Sequence, residues 1–351
     1  SSDLSDIIRK LRSFTGPTNP KKIKKKTLPL VKNEAGEVCA YPAEALGVWI
    51  NYFMQMEGGR RITHEELRKQ WILELGRFAR PDLQISIHEL PTLTDLEISY
   101  RRVPGGRAQG PDNVPGELCK YQAAPLALAS FAHLAKLVCH GQEFLGHKGG
   151  QLTPAYKGKG MISCCSSYRS LLVSSNIGKV LHRTLRQANA SLYEAFMQGQ
   201  QVGGRRKVPV QLALHEVRAF LRLARRSGHS AGILFLDLTE AFYRILRELS
   251  LGGEPKDETV AHVMARLQMP HTALHDIHQL LCQQSALMQA GLSDTARNYT
   301  AAVHSGTHFW LQGQGDVAKT CMGTRPGDSF ADVVFGYTWS LVMRKLQNYM
   351  V

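Results

Sequence analysis

The chain has 351 residues, 43% of them hydrophobic, which suffices for a proper core in one large domain or two and excludes disorder throughout. Lys and Arg number 43 against 29 Asp and Glu, a formal charge of +14 that favours a polyanionic partner over a neutral small metabolite, with nucleic acid first and an anionic membrane surface second. Seven cysteines, odd in number and without a C-x-x-C spacing, fit reduced thiols of an intracellular protein better than a disulfide framework.

Residues 1–27 carry GPTNPKKIKKKT, and prolines beside Lys21, Lys22, Lys24, Lys25 and Lys26 predict a basic, disordered linker. The lysines read equally as a localisation signal, a phosphate-binding tail or a plain solvated run. The chain opens on Ser1 with no signal-peptide pattern, as an internal piece of a longer protein would. From Leu28 a strand and a turn at Gly36 lead into a helix with Leu46, Ile50 and Phe53 on one face, and residues 28–100 are expected to be a mainly helical extension. Gly106 to Lys120, GRAQGPDNVPGELCK, is a tight loop before an amphipathic helix, with Asn113 at a position that tolerates the left-handed conformation. The apolar run from Ala123 to Val138 is interrupted by His133 and Lys136, so no bilayer span is expected.

Gln151 to Arg183 predicts a strand, a Gly-Lys-Gly turn, a second strand and a helix. Lys157, Lys159 and Arg169 then either project from the hairpin toward a triphosphate or form an exposed basic turn, and the spacing is not that of a P-loop. Gln200 to Lys207, with Arg205, Arg206 and Lys207, precedes a helix that sets Leu214, Val217, Leu221 and Ala224 on one side and Arg218, Arg222, Arg225 and Arg226 on another. Four like charges without interleaved acids repel one another, and a nucleic-acid backbone opposite them relieves that.

Ala231 to Leu246, AGILFLDLTEAFYRIL, begins as an unbroken apolar run, the pattern of a strand buried on both faces, and delivers Asp237 to its end. From Thr239 the spacing of Phe242, Ile245, Leu246 and Leu249 becomes helical, which places Asp237 at a strand-to-helix junction as a turn or cap residue or as a metal ligand. His271, His275, His278 and Cys282 imitate a metal stripe, but their helix rises about 16 Å and they cannot enclose one ion, so a buried polar-aromatic face is expected and no zinc is assigned. Gly323 to Arg344 predicts a turn at Gly327 and Asp328, a cap at Ser329, and a helix with Phe330, Val333, Val334, Tyr337 and Leu341 on its apolar face.

In this order the segments resemble the reverse transcriptase of non-LTR (LINE-type) retrotransposons. FLDLTEAF resembles motif A, GTRPGDSF resembles motif B with Pro326 for its Gln and Ser329 for its Pro, and Gly110-Pro111-Asp112 resembles the family's G-P-D loop. The 151–183 hairpin resembles P-x-x-K-K-G followed by Y-R-P-I, with Ser170 for the Pro, and QQVGGRRK resembles Q-x-G-F-R-x-G-R-S. The resemblance implies an α+β fold of reverse-transcriptase-like fingers (101–230) and an incomplete palm (231–351) behind the helical N-terminal extension. It implies RNA-directed DNA synthesis with two magnesium ions, with Asp237 as catalytic carboxylate and metal ligand beside the Leu238 carbonyl. Lys157, Arg169, Phe242 and Gly327 are then nucleotide contacts, Phe242 as the sugar gate, and Arg205, Arg206, Lys207, Arg218, Arg222 and Arg225 hold nucleic acid. The implied partners are an RNA template, a DNA primer and deoxynucleoside triphosphates, with no membrane, in the nucleus and cytoplasm. The family's motif C is an aromatic-x-Asp-Asp hairpin, and no Asp-Asp pair occurs in the sequence, so the expectation is a fragment lacking motif C and thumb and inactive by itself. The competing reading is a catalytically silent nucleic-acid-binding remnant.

Overall fold

The computed structural model describes residues 28–350 apart from 198, 200, 206, 207, 236, 239, 254–256 and 326, so the basic linker lies outside the described residues. The protein is α+β. A bridge between Lys32 and Val38 closes the turn at Gly36, whose φ of +83° favours glycine. Helices α1 (Pro42–Glu57) and α2 (His64–Phe78) flank β1 (Arg60–Ile62), and α3 (Leu93–Arg101), α4 (Gly116–Tyr121) and α5 (Ala123–His140) follow. Asn113, in the loop before α4, has φ +53°, as its tolerance of the left-handed region predicts. The hairpin β2 (Gly149–Tyr156) and β3 (Tyr168–Ser174) turns through Gly158 and Gly160 and runs into α6 (Asn176–Ala188), with α7 (Ala190–Phe196) behind it. Then come α8 (Val210–Arg226), α9 (Arg247–Leu251), α10 (Asp257–Leu267), α11 (Leu274–Leu281), α12 (Ala286–Gln289), α13 (Asp294–His304), β4 (His308–Trp310), β5 (Val317–Lys319) and α14 (Ala331–Met350).

The five strands form one mixed sheet in the order β1-β5-β4-β2-β3. β2 pairs antiparallel with β3 along its full length, with Ala155 opposite Arg169, and parallel with β4, with Gly150 opposite Phe309. A parallel neighbour requires a long crossover, and here the chain travels from β3 through α6–α13 before returning. The two larger of the four apolar clusters among the described residues join the sheet to its first helix and most of the other helices to one another. Trp49 and Phe53 of α1 pack on Leu152, Tyr168, Phe309 and Ala318 of the sheet, and Tyr100, Leu134, Leu181, Leu185 and Tyr337 join α3, α5, α6 and α14.

Three expectations are corrected. Ala231 to Phe235 is not a core strand: no ladder forms, and Leu234 and Phe235 are 80% and 86% exposed. A strand buried on both faces needs neighbours on both edges and cover on both sides, and the described strands pair elsewhere. The helix before it, α8, has the expected span and the expected amphipathic pattern but no buried residue among those described, so Leu214, Val217 and Leu221 lie open. Finally, α5 is 18 residues long with a mean hydropathy of 1.3, long and apolar enough by length and composition to cross a membrane, contrary to the reading from His133 and Lys136. One face of it, through Ala127, Leu134 and Leu137, is built into the core.

The His271 to Cys282 stretch is corrected as well. His271, His275, His278 and Cys282 are exposed, and the buried face of α11 is made by Ile277 and Leu281 instead.

Candidate functional site

Phe242 and Tyr243 form a short 3-10 turn after Glu240, whose φ is +57°. Their backbone meets the loop that precedes α14: Thr324 N–H donates to the Phe242 carbonyl at 2.7 Å and Gly323 N–H to the Ile245 carbonyl at 2.8 Å. Gly323 has φ +75°, and a Cβ there would lie 2.9 Å from the Phe242 carbonyl oxygen and from the Tyr243 Cα, so a side chain would prise the two segments apart. The Phe242 ring packs on Phe335 of α14 with centroids 5.2 Å apart. On the other side the Tyr243 hydroxyl is hydrogen-bonded to Ser170 of β3, reaching both its hydroxyl and its carbonyl. The hairpin, the segment after Asp237 and the turn before α14, remote in sequence, therefore share one junction.

Arg247 of α9 locks this junction. Its guanidinium donates to the carbonyls of Gly323 (2.9 Å), Met322 (2.9 Å) and Thr320 (3.1 Å) and to the hydroxyls of Thr307 (2.8 Å) and Thr320 (3.2 Å). Burial pulls its pKa down to about 10, and the neighbouring Cys321 and Glu57 act against that. Glu57 is pushed up to about 8 by its own burial, with Arg247 opposing.

The turn itself is fixed by a buried ionic chain. Arg325 donates to the His147 carbonyl at 2.6 Å and to Asp328 at 3.1 Å. His182 of α6, fully buried, donates from Nδ1 to the same Asp328 oxygen at 2.6 Å and from Nε2 to Glu143 at 3.3 Å, and His147 Nδ1 donates to the other Glu143 oxygen at 2.8 Å. Burial disfavours the imidazolium of His182, but the flanking carboxylates of Asp328 and Glu143 outweigh it and hold its pKa up at about 9. Burial likewise works against the charges of Asp328 and Glu143, and their cationic partners hold both well below the usual carboxylate range.

Sequence-predicted residues distribute unevenly over this frame. Phe242 is at the junction, and Gly327, with φ +97°, abuts β3, where a Cβ would stand 3.5 Å from the Leu172 carbonyl oxygen. Arg169 is exposed on β3, and because Ser170 turns toward Tyr243, strand alternation sets Arg169 on the opposite face. The Lys157 ammonium donates to the Ser166 carbonyl at 2.7 Å and closes the hairpin loop. Asp237 and Leu238 stand in exposed coil, not at the end of a core strand. Ser329 does not cap α14; its hydroxyl donates to the Lys179 carbonyl at 3.3 Å. Arg205 is paired with Glu194 at 3.0 Å, whereas Arg206 and Lys207 lie outside the described residues. Arg218, Arg222 and Arg225 are exposed on α8.

No protein-family model matches the chain, and no curated protein matches it. The site therefore stands on its own geometry. Among the described residues no three His, Cys, Asp or Glu side chains converge as metal ligands, and a magnesium pair takes more oxygen ligands per ion than the Asp237 carboxylate and the Leu238 carbonyl alone would supply. What sequence reading missed is the ionic chain behind the turn. His182 and Asp328 are separated by 146 residues, and no local pattern marks them as partners.

Proposed function

We propose that this chain is a fragment of an RNA-directed DNA polymerase of the LINE type, with reverse-transcriptase-like fingers and an incomplete palm. The observation that carries this reading is the junction described above: the segments resembling motif A, motif B and the basic hairpin meet at Phe242, Thr324 and Ser170, although 154 residues separate the first from the last. In this reading Asp237 supplies one carboxylate, and nucleotidyl transfer requires further carboxylates that the described residues do not gather. Phe242 screens the sugar, Lys157 and Arg169 meet nucleotide phosphates, and the exposed arginines of α8 track a nucleic-acid backbone.

The test joins the chain to a segment carrying an aromatic-x-Asp-Asp hairpin and a thumb, and measures magnesium-dependent copying of RNA. Turnover that is lost in Asp237→Asn while primer-template binding survives supports the reading; turnover that persists in Asp237→Asn refutes it. The second reading, a silent nucleic-acid-binding remnant, is favoured by the exposed position of Asp237, and predicts binding without copying in the joined protein.

A further inference from the structure

A nucleic-acid backbone would engage only half of α8. None of the 17 residues of this helix is buried. Leu214, Val217, Phe220 and Leu221 nevertheless share an arc of about 120° on it and are 38% to 56% exposed. Arg218, Arg222, Arg225 and Arg226 fill the adjoining arc of about 100° and make no ion pair among the described residues. The helix carries a single acid, Glu216. A short link further on, Ile233, Leu234 and Phe235 stand outside any strand at 40%, 80% and 86% exposure.

An amphipathic helix draws most of its stability from packing its apolar face. Apolar residues scattered over a surface need no cover, but a contiguous stripe marks a contact. The two faces of α8 together select the partner. Phosphates of a strand would take the arginines and leave the stripe, Leu234 and Phe235 in water. A second copy of the chain would cover the stripe but bring four more arginines and its own charge of +14 against the first. An anionic bilayer surface meets both faces at once, since it offers negative headgroups above an apolar interior.

We propose that α8, with the Ile233 to Phe235 segment, docks on an anionic lipid bilayer surface. The helix lies in the interface plane and does not span the bilayer. Its apolar arc sits at the boundary between headgroups and acyl chains. The arginines donate to headgroup phosphates and carboxylates, with their aliphatic stems along the edge of the apolar arc. Leu234 and Phe235 supply further apolar anchors.

The experiment co-sediments the 351-residue chain with vesicles of phosphatidylcholine alone and with vesicles of equal parts phosphatidylcholine and phosphatidylserine. Wild type is compared with Leu214→Ser plus Leu221→Ser, with Leu234→Ser plus Phe235→Ser, and with Arg218→Gln, Arg222→Gln and Arg225→Gln combined. Each variant is also melted and titrated with a single-stranded RNA oligomer. Wild type binds the serine-containing vesicles on the order of 100-fold more tightly than the neutral ones, and the arginine triple removes a similar factor. Each apolar pair lowers vesicle binding about tenfold or more. The apolar pairs keep the wild-type melting temperature, because no core contact is lost, and keep RNA affinity, because a strand does not use them. Equal binding to both vesicle types, or vesicle binding indifferent to both apolar pairs or to the arginine triple, overturns the proposal. So does RNA binding without vesicle binding, or a lowered melting temperature in Leu214→Ser plus Leu221→Ser, which would mean that the chain covers the stripe itself. Copying of RNA enters none of these readouts, so this proposal and the polymerase reading fail separately.

Discussion

His182 bridges the two buried carboxylates, Asp328 and Glu143, behind the turn before α14. Replacing it with Leu leaves Asp328 and Glu143 buried without their shared cation, and chemical denaturation should register a loss of about 3 to 5 kcal/mol. The pH dependence has two arms. The folded pKa of His182, about 9, lies above its ordinary 6.5, so its stabilising contribution is complete below pH 6.5 and drains away as pH rises through 9. Asp328 and Glu143 lie below their ordinary values, so their contribution is present above about pH 5 and is lost as pH falls further. Melting temperatures measured from pH 3 to 10 should therefore decline on both sides, and His182→Leu should flatten the alkaline decline. Gly323→Ala acts on the same junction from the backbone, with strain of about 1 to 3 kcal/mol from its positive φ and further cost from contact with Tyr243. Its melting temperature should fall, while Gly315→Ala, a site with open space around it, should leave melting nearly unchanged.

At the level of elements, legibility followed periodicity. α1, the hairpin β2–β3 and α14 stand where apolar spacing and turn residues put them, because each signal is local: Trp49, Ile50 and Phe53 on one face, Gly158 and Gly160 between strands, and Phe330, Val333, Val334 and Tyr337 on one helical stripe. The three-residue strands β1, β4 and β5 are too short to carry an alternation, and they exist because they pair with partners up to 259 residues away. The run from Ala231 failed for the converse reason. Its composition states that burial is favourable, but supplying the burial is the task of other segments. The junction was legible only as separate motifs, and its ionic support was not legible at all, since its members share no spacing. Element α8 carries its own prediction. If its exposed arginines face nucleic-acid phosphates, replacing Arg218, Arg222 and Arg225 with Gln should lower the log-log salt slope of RNA binding by about 0.7 to 0.9 per lost contact. An unchanged slope in a filter-binding series would remove α8 from the interface.

For the whole molecule, a surplus of 14 positive charges favours long-range attraction to a polyanion, and if RNA is the partner as proposed, its binding should weaken steeply as salt is raised. The order β1-β5-β4-β2-β3 has a different consequence. Residues before 228 contribute β1, β2 and β3, and residues after 232 contribute β4 and β5, so the later pair is wedged between strands of the earlier part. The peptide that links the two parts, from Gly228 to Phe235, is exposed throughout. Fragment complementation should follow: residues 1–229 and 230–351, produced together as separate polypeptides, should reassemble one sheet and co-purify at one-to-one stoichiometry through a tag on either piece. Each piece produced alone would present unpaired strand edges to solvent and should aggregate.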